Sequence, residues 1–122
     1  MKVLVCGGRD FQSPAQVWRA MDALHSLYGF TAIMQGGAKG VDAMARDWAA
    51  TKPEIQRYVC KADWEKHGKA AGPIRNARML EWKPDLVVAF PGGRGTENMV
   101  EQATRAGVPV RRVDITSAKE PG

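Results

Sequence analysis

Three glycine-rich segments carry the strongest chemical signal in this sequence, at residues 7–10, 36–40 and 91–96. Each follows a short apolar run that is typical of a β-strand. Glycine lets backbone N–H groups approach an anion closely, and the N-terminus of a following helix adds partial positive charge. One such segment is expected at any tight strand-to-helix turn, but three in 122 residues indicate a phosphate-bearing ligand.

The third segment is the strongest of the three. Its glycines surround Arg94, and we expect Thr96 to cap the helix that follows. Backbone donors, a hydroxyl and a guanidinium at one helix N-terminus are typical of an anion site. In the second segment, Lys39 is either a phosphate contact or a solvent-facing lysine. Asp42 either complements the helix dipole or accepts a hydrogen bond from a ribose hydroxyl.

Several common site types are disfavoured. The first segment does not read G-x-G-x-x-G, and Gln35 stands where a dinucleotide fold has its ribose-binding acid, which argues against a nicotinamide cofactor. The second segment lacks the spacing of a Walker A loop. Cys6 and Cys60 have neither C-x-x-C spacing nor a histidine cluster, so we expect free thiols and no metal or other cofactor.

The elements that position these segments alternate between strand and helix. This predicts an α/β fold, a Rossmann-like three-layer sandwich whose five-stranded parallel sheet has the order 3-2-1-4-5. Strands are predicted at 2–6, 31–35, 55–60, 86–90 and 108–113, and helices at 14–28, 41–50, 73–82 and 97–106. Ser13 is expected to cap the first helix and Gly29 to end it. In that strand order, all three glycine segments meet at the carboxyl edge of the sheet.

The length predicts one domain, over residues 1–115, followed by a flexible tail at 116–122. No apolar run approaches the roughly 20 residues of a membrane span, so we expect no membrane partner and a cytoplasmic protein. No carboxylate pair or nucleophile–base set can be assembled, so the sequence favours binding over catalysis.

A basic segment lies between Arg57 and Arg78. It holds six of the basic residues against two acidic ones, within a chain of net charge +5. This excess favours an anionic partner, a nucleotide or a nucleic acid, although a solvated surface loop would have the same composition. A single-stranded nucleic acid would contact the following residues, with Trp64 stacking on a base: Lys61, Lys66, Lys69, Arg75 and Arg78.

Four segments, at 5–11, 36–42, 71–76 and 90–96, resemble in this order the small stand-alone domains of the SLOG superfamily, in its YspA-related branch. The resemblance implies a Rossmann-like sheet that binds nucleotides or nucleotide-derived ligands at its carboxyl edge. The candidate ligand-binding residues are Gly7, Gly8, Arg9, Asp10, Gly36, Gly37, Lys39, Asp42, Arg75, Asn76, Pro91, Gly92, Gly93, Arg94, Gly95 and Thr96.

Two groups of relatives imply different activities. The third segment is similar to the P-G-G-x-G-T-x-x-E motif of the LOG-type phosphoribohydrolases, which cleave nucleoside monophosphates with an arginine and a glutamate. This chain has Asn98 at the glutamate position, with Glu97 and Glu101 nearby. If the chain is such an enzyme, the catalytic residues come from Arg75, Arg78, Glu97 and Glu101.

The resemblance to these relatives also implies an oligomeric assembly and binding of nucleic acid. LOG-type relatives pair through helices beside the site, and Trp48 and Trp82 lie on predicted helices, so we expect a homodimer or larger. The second segment and Arg75-Asn76 are similar to DprA, which binds single-stranded DNA. The main prediction is binding of a nucleotide or nucleotide-derived ligand, by a sensor or sequestering protein. Hydrolysis of nucleoside monophosphates and single-stranded DNA binding are the alternatives.

Overall fold

Five short strands alternate with helices in the computed structural model, which describes residues 1–114. The strands are β1 (Lys2–Cys6), β2 (Ala32–Gln35), β3 (Gln56–Val59), β4 (Leu86–Ala89) and β5 (Val110–Arg112). The helices are α1 (Pro14–Tyr28), α2 (Val41–Ala50), the single turn α3 (Trp64–His67), α4 (Ala71–Glu81) and α5 (Arg94–Arg105). A 3₁₀ turn, Gly68–Ala70, joins α3 to α4. The expected tail at 116–122 lies outside the described residues.

The sheet is parallel throughout and has the order β3-β2-β1-β4-β5, so the predicted fold class and strand order are confirmed. Val3 of β1 lies opposite Ile33 of β2 on one side and Leu86 of β4 on the other. Strands are therefore added to the sheet on both sides of β1, with β2 and β3 on one side and β4 and β5 on the other. Ligands of such folds bind at this switch point, outside the carboxyl ends of the strands.

Two separate cores flank the sheet because successive side chains of a strand point to opposite faces. Val3 and Val5 pack with Trp48 of α2 in the core under α1 and α2. Leu4 packs with Met99 of α5 in the core under α4 and α5. This arrangement makes the three layers of the predicted sandwich.

Local signals set the ends of α1 as expected. The Ser13 side chain accepts a hydrogen bond from the Gln16 N–H at 3.3 Å, and Pro14 occupies the first helical position. Gly29 ends the helix in the left-handed conformation, with φ of 71°. Capping of this kind depends only on neighbouring residues, which is why the sequence predicts it.

Two helices begin earlier than predicted. The expectation that Thr96 caps α5 is wrong, because Gly93 takes the capping position and Thr96 lies buried within the first turn. Helix α4 begins at Ala71 rather than 73. Pro73 is tolerated there because N–H groups of a first helical turn have no partner within the helix.

The region 61–72, which lacks helical periodicity, contains the single turn α3. The Asp63 side chain caps this turn by accepting a hydrogen bond from the Lys66 N–H at 3.1 Å. Within residues 1–114, no helix combines the length and the apolar character needed to cross a membrane.

Candidate ligand-binding cleft

A cleft of about 800 Å³ opens at the carboxyl ends of β1, β2 and β4. Of the sixteen predicted ligand-binding residues, fifteen line it, and the exception is the exposed Lys39. The remaining lining residues are Cys6, Phe11, Ala38, Lys61, Ala62, Trp64 and Gly72. The convergence expected from the strand order is therefore present in the structure.

Contacts between the first and third segments explain part of the glycine pattern. The Gly8 N–H donates to the Pro91 carbonyl oxygen at 2.8 Å, and the Gly8 carbonyl accepts from the Val41 N–H at 3.1 Å. A Cβ atom on Gly40 would collide with the Gly8 carbonyl, and one on Gly92 would lie 2.8 Å from the Gly8 nitrogen. Glycine at these positions is required by packing, whether or not a ligand binds.

Two glycines of the third segment, in contrast, are not required by packing. A Cβ atom added to Gly93 or Gly95 would meet nothing within 4 Å, so both face open space. Within residues 1–114, the N–H groups of Arg94, Gly95 and Thr96 have no hydrogen-bond acceptor. They are the first N–H groups of the twelve-residue helix α5, where the helix dipole is positive. This end of the cleft therefore presents N–H donors without acceptors at the positive end of a helix dipole.

The second segment is already occupied by the protein's own side chains. Asp42 is 7% exposed, and its Oδ2 accepts a hydrogen bond from the Ala38 N–H at 3.2 Å. The Gln35 amide oxygen accepts a hydrogen bond from the Gly37 N–H. Burial raises the pKa of Asp42, against the opposing effects of its hydrogen bond with Ala38 and of the Arg75 charge.

A polar network joins α4 to α5 beside the cleft. The Arg75 guanidinium donates from Nε to Asn76 Oδ1 and from Nη1 to the Gly36 carbonyl, both at 3.0 Å. Asn76, only 3% exposed, donates from Nδ2 to the Gly95 carbonyl at 3.2 Å and to Asn98 Oδ1 at 3.1 Å. Asn98 therefore holds the two helices together in the place where the LOG-type motif has a glutamate.

Most of the residues considered for hydrolysis lie elsewhere. Glu97 forms a two-pronged pair with Arg112, with N–O distances of 2.8 and 3.0 Å, and this hydrogen bonding lowers the pKa of Glu97. Glu101 pairs with Arg105 at 2.8 Å. Neither glutamate lines the cleft, and neither does Arg78. Arg75 is the one member of that set that the cleft contains.

The basic segment divides between the cleft and the surface. Lys61 and Trp64 line the cleft, whereas Lys66 and Lys69 do not. The sequence predicts the basic segment as a contact of a nucleotide or a nucleic acid, with Lys61 and Trp64 named as contacts of a single strand, and it gives no role to Phe11, which directly follows the first glycine segment. That adjacency was the available signal.

The cysteines are free thiols, as predicted. Burial raises the pKa of the Cys6 thiol to about 12, so Cys6 is protonated at neutral pH and is not poised as a nucleophile. In the described part of the chain, no group of three or more His, Cys, Asp or Glu side chains could hold a metal ion.

The sheet order, with a glycine-lined cleft at its switch point, defines a Rossmann-like α/β domain. Residues 1–67 match the family described as YspA, cpYpsA-related SLOG, and the chain belongs to that family. The chain is also 40% identical over 121 residues to the Gene 61 protein of Mycobacterium phage D29, covering 89% of this chain and 93% of the phage protein. Membership in the family indicates a nucleotide-related ligand in general terms.

Proposed function

We propose that this protein binds a nucleotide or a nucleotide-derived ligand, such as a nucleoside phosphate or an ADP-ribose-like molecule, and acts as a sensor or sequestering protein. The observation that carries the proposal is the row of N–H groups at Arg94, Gly95 and Thr96, which line the cleft at the start of α5 and have no acceptor among residues 1–114. A phosphate group supplies the acceptors that these donors lack.

The size and charge of the cleft support the same ligand class. Its volume of about 800 Å³ falls in the range of small-molecule and cofactor sites. Four basic side chains line it, Arg9, Lys61, Arg75 and Arg94, against the two acids Asp10 and Asp42. Asp42 is engaged with the second glycine segment, so the basic excess is available to an anionic ligand.

Calorimetric titration tests the proposal with orthophosphate, the four common nucleoside 5′-monophosphates and ADP-ribose. We expect at least one nucleotide to bind to the wild-type protein and to raise its melting temperature. Arg94→Ala should weaken that binding, whereas Arg19→Ala removes an exposed arginine outside the cleft and should leave it unchanged. If no phosphate-bearing ligand binds at millimolar concentration, the proposal is wrong.

Neither alternative activity is favoured by a specific observation. Phosphoribohydrolase chemistry needs a carboxylate at the sugar, and Glu97 and Glu101 are paired with arginines outside the cleft. Single-stranded DNA needs a continuous basic track, and Lys66 and Arg78 lie outside the cleft. Release of free base from AMP, or tight salt-sensitive binding of a labelled oligonucleotide, would reverse this ranking.

A homodimer or larger assembly, in the cytoplasm, is part of the proposal. Trp48 cannot contribute to an interface between chains, because its side chain is fully buried in the core. Support comes instead from apolar side chains that the described fold leaves exposed, including Leu27, Tyr58 and Val59. Light scattering that gives the mass of one chain at micromolar concentration would exclude the assembly.

A further inference from the structure

Two N–H groups of the second glycine segment are already paired within the protein. The Gly37 N–H donates to the Gln35 side chain, and the Ala38 N–H donates to Asp42. A phosphate there would have to displace a buried carboxylate and would meet its charge. This inference rests on the proposed function, and it restricts the charged end of the ligand to the other side of the cleft, at α5.

The cleft also presents an aromatic surface, on an element other than α5. Trp64 lines the cleft and is 53% exposed, on the single turn α3. Within residues 1–114 its ring has no aromatic partner and no cation over its face. The first turn of α4 has a glycine facing it, since a Cβ atom on Gly72 would lie 3.5 Å from the edge of the Trp64 ring.

An aromatic ring left open in the cleft suits a nucleobase. Bases stack on tryptophan through their π-faces, and loss of such a platform costs about 1–3 kcal/mol per base, which converts to roughly 5- to 150-fold in affinity. We propose that Trp64 contacts the base of the ligand, so that the ligand lies with its phosphate at the start of α5 and its base at α3. The residue is thereby a determinant of specificity for nucleotides over sugar phosphates.

The test compares a nucleotide with a matched ligand that lacks the base. Wild type, Trp64→Phe and Trp64→Ala are titrated calorimetrically with ribose 5-phosphate and with the tightest-binding of the four nucleoside 5′-monophosphates. We expect Trp64→Ala to lose roughly 5- to 150-fold in affinity for the nucleotide and to change less than twofold for ribose 5-phosphate. Trp64→Phe keeps an aromatic face and should retain most of the wild-type affinity for the nucleotide. The exposed aromatic outside the cleft, Tyr58, supplies the control variant Tyr58→Ala.

The possible failures are distinguishable. Unchanged nucleotide affinity in Trp64→Ala would overturn the inference and leave the proposed function standing. Equal losses for the nucleotide and for ribose 5-phosphate would also overturn it, because Trp64 would then shape the cleft without contacting the base. If the wild-type protein binds none of the nucleoside monophosphates, ADP-ribose or ribose 5-phosphate, the proposed function itself is wrong and the inference falls with it.

Discussion

Replacing Gly92 by alanine tests whether packing between the first and third glycine segments holds the cleft together. The added Cβ atom would press on the Thr96 hydroxyl and would lie 2.8 Å from the Gly8 nitrogen and 2.9 Å from Thr96 Cβ. Real Cβ atoms do not approach this closely. The Gly8 nitrogen is backbone and already donates to the Pro91 carbonyl at 2.8 Å, so the contact cannot be relieved by a side-chain rotation alone.

We therefore expect a substantial loss of stability. Overpacking of this kind costs about 1–3 kcal/mol, and for a domain of this size 1 kcal/mol lowers the melting temperature by roughly 4 °C. Gly92→Ala should melt roughly 4–12 °C below the wild type. The matched control is Gly95→Ala, whose Cβ atom would meet nothing within 4 Å and whose position is inside a helix. It should gain up to about 1 kcal/mol from helix propensity.

Thermal and urea unfolding, followed by circular dichroism at 222 nm, measure both variants. Equal melting temperatures for Gly92→Ala and wild type would refute the packing argument, because the two segments would then be free to separate. A destabilised Gly95→Ala would show that the start of α5 is more crowded than its open surroundings indicate.

Three further predictions concern buried polar groups. Asn76→Ala removes the side-chain donor to the Gly95 carbonyl, one of the two donors to Asn98 Oδ1 and the acceptor of Arg75 Nε, so it should cost about 1–3 kcal/mol in urea unfolding; a variant as stable as wild type would contradict the network. Cys6, with its pKa raised to about 12, is thiolate in only about one part in ten thousand at pH 8, so iodoacetamide should leave it unmodified in the folded protein, as read by peptide mass spectrometry. Burial raises the pKa of Asp42 in the folded state above its ordinary value of 3.8, so ionisation costs more in the folded state than in the unfolded state. The contribution of Asp42 to stability therefore falls as pH rises through and above about 4. The stability of wild type relative to Asp42→Asn should therefore decrease from pH 4 towards neutrality, and an increase would show that the hydrogen bonds outweigh burial.

The position of the candidate site could be predicted from the sequence because the patterns that define it depend on residues close together in the chain. Apolar periodicity and glycine positions predict the alternating elements, and parallel strands in the order 3-2-1-4-5 bring the ends of β1, β2 and β4 together. The Ser13 cap and the Gly29 stop of α1 are equally local, since each depends on residues within one turn. For this reason, fifteen of sixteen predicted residues line one cleft.

The roles of the three glycine segments, which look alike in sequence, were decided only by tertiary contacts. Gly92 is required by its approach to Gly8, 84 positions away in the chain, whereas Gly95 faces open space. In the second segment the Ala38 N–H donates to Asp42, because the first turn of helix α2 places that carboxylate beside the segment. Trp64 joins the cleft only because α3 folds over the first turn of α4. Composition and spacing determine which backbone can approach an anion, but burial and long-range packing determine whether the anion comes from the ligand or from the protein itself.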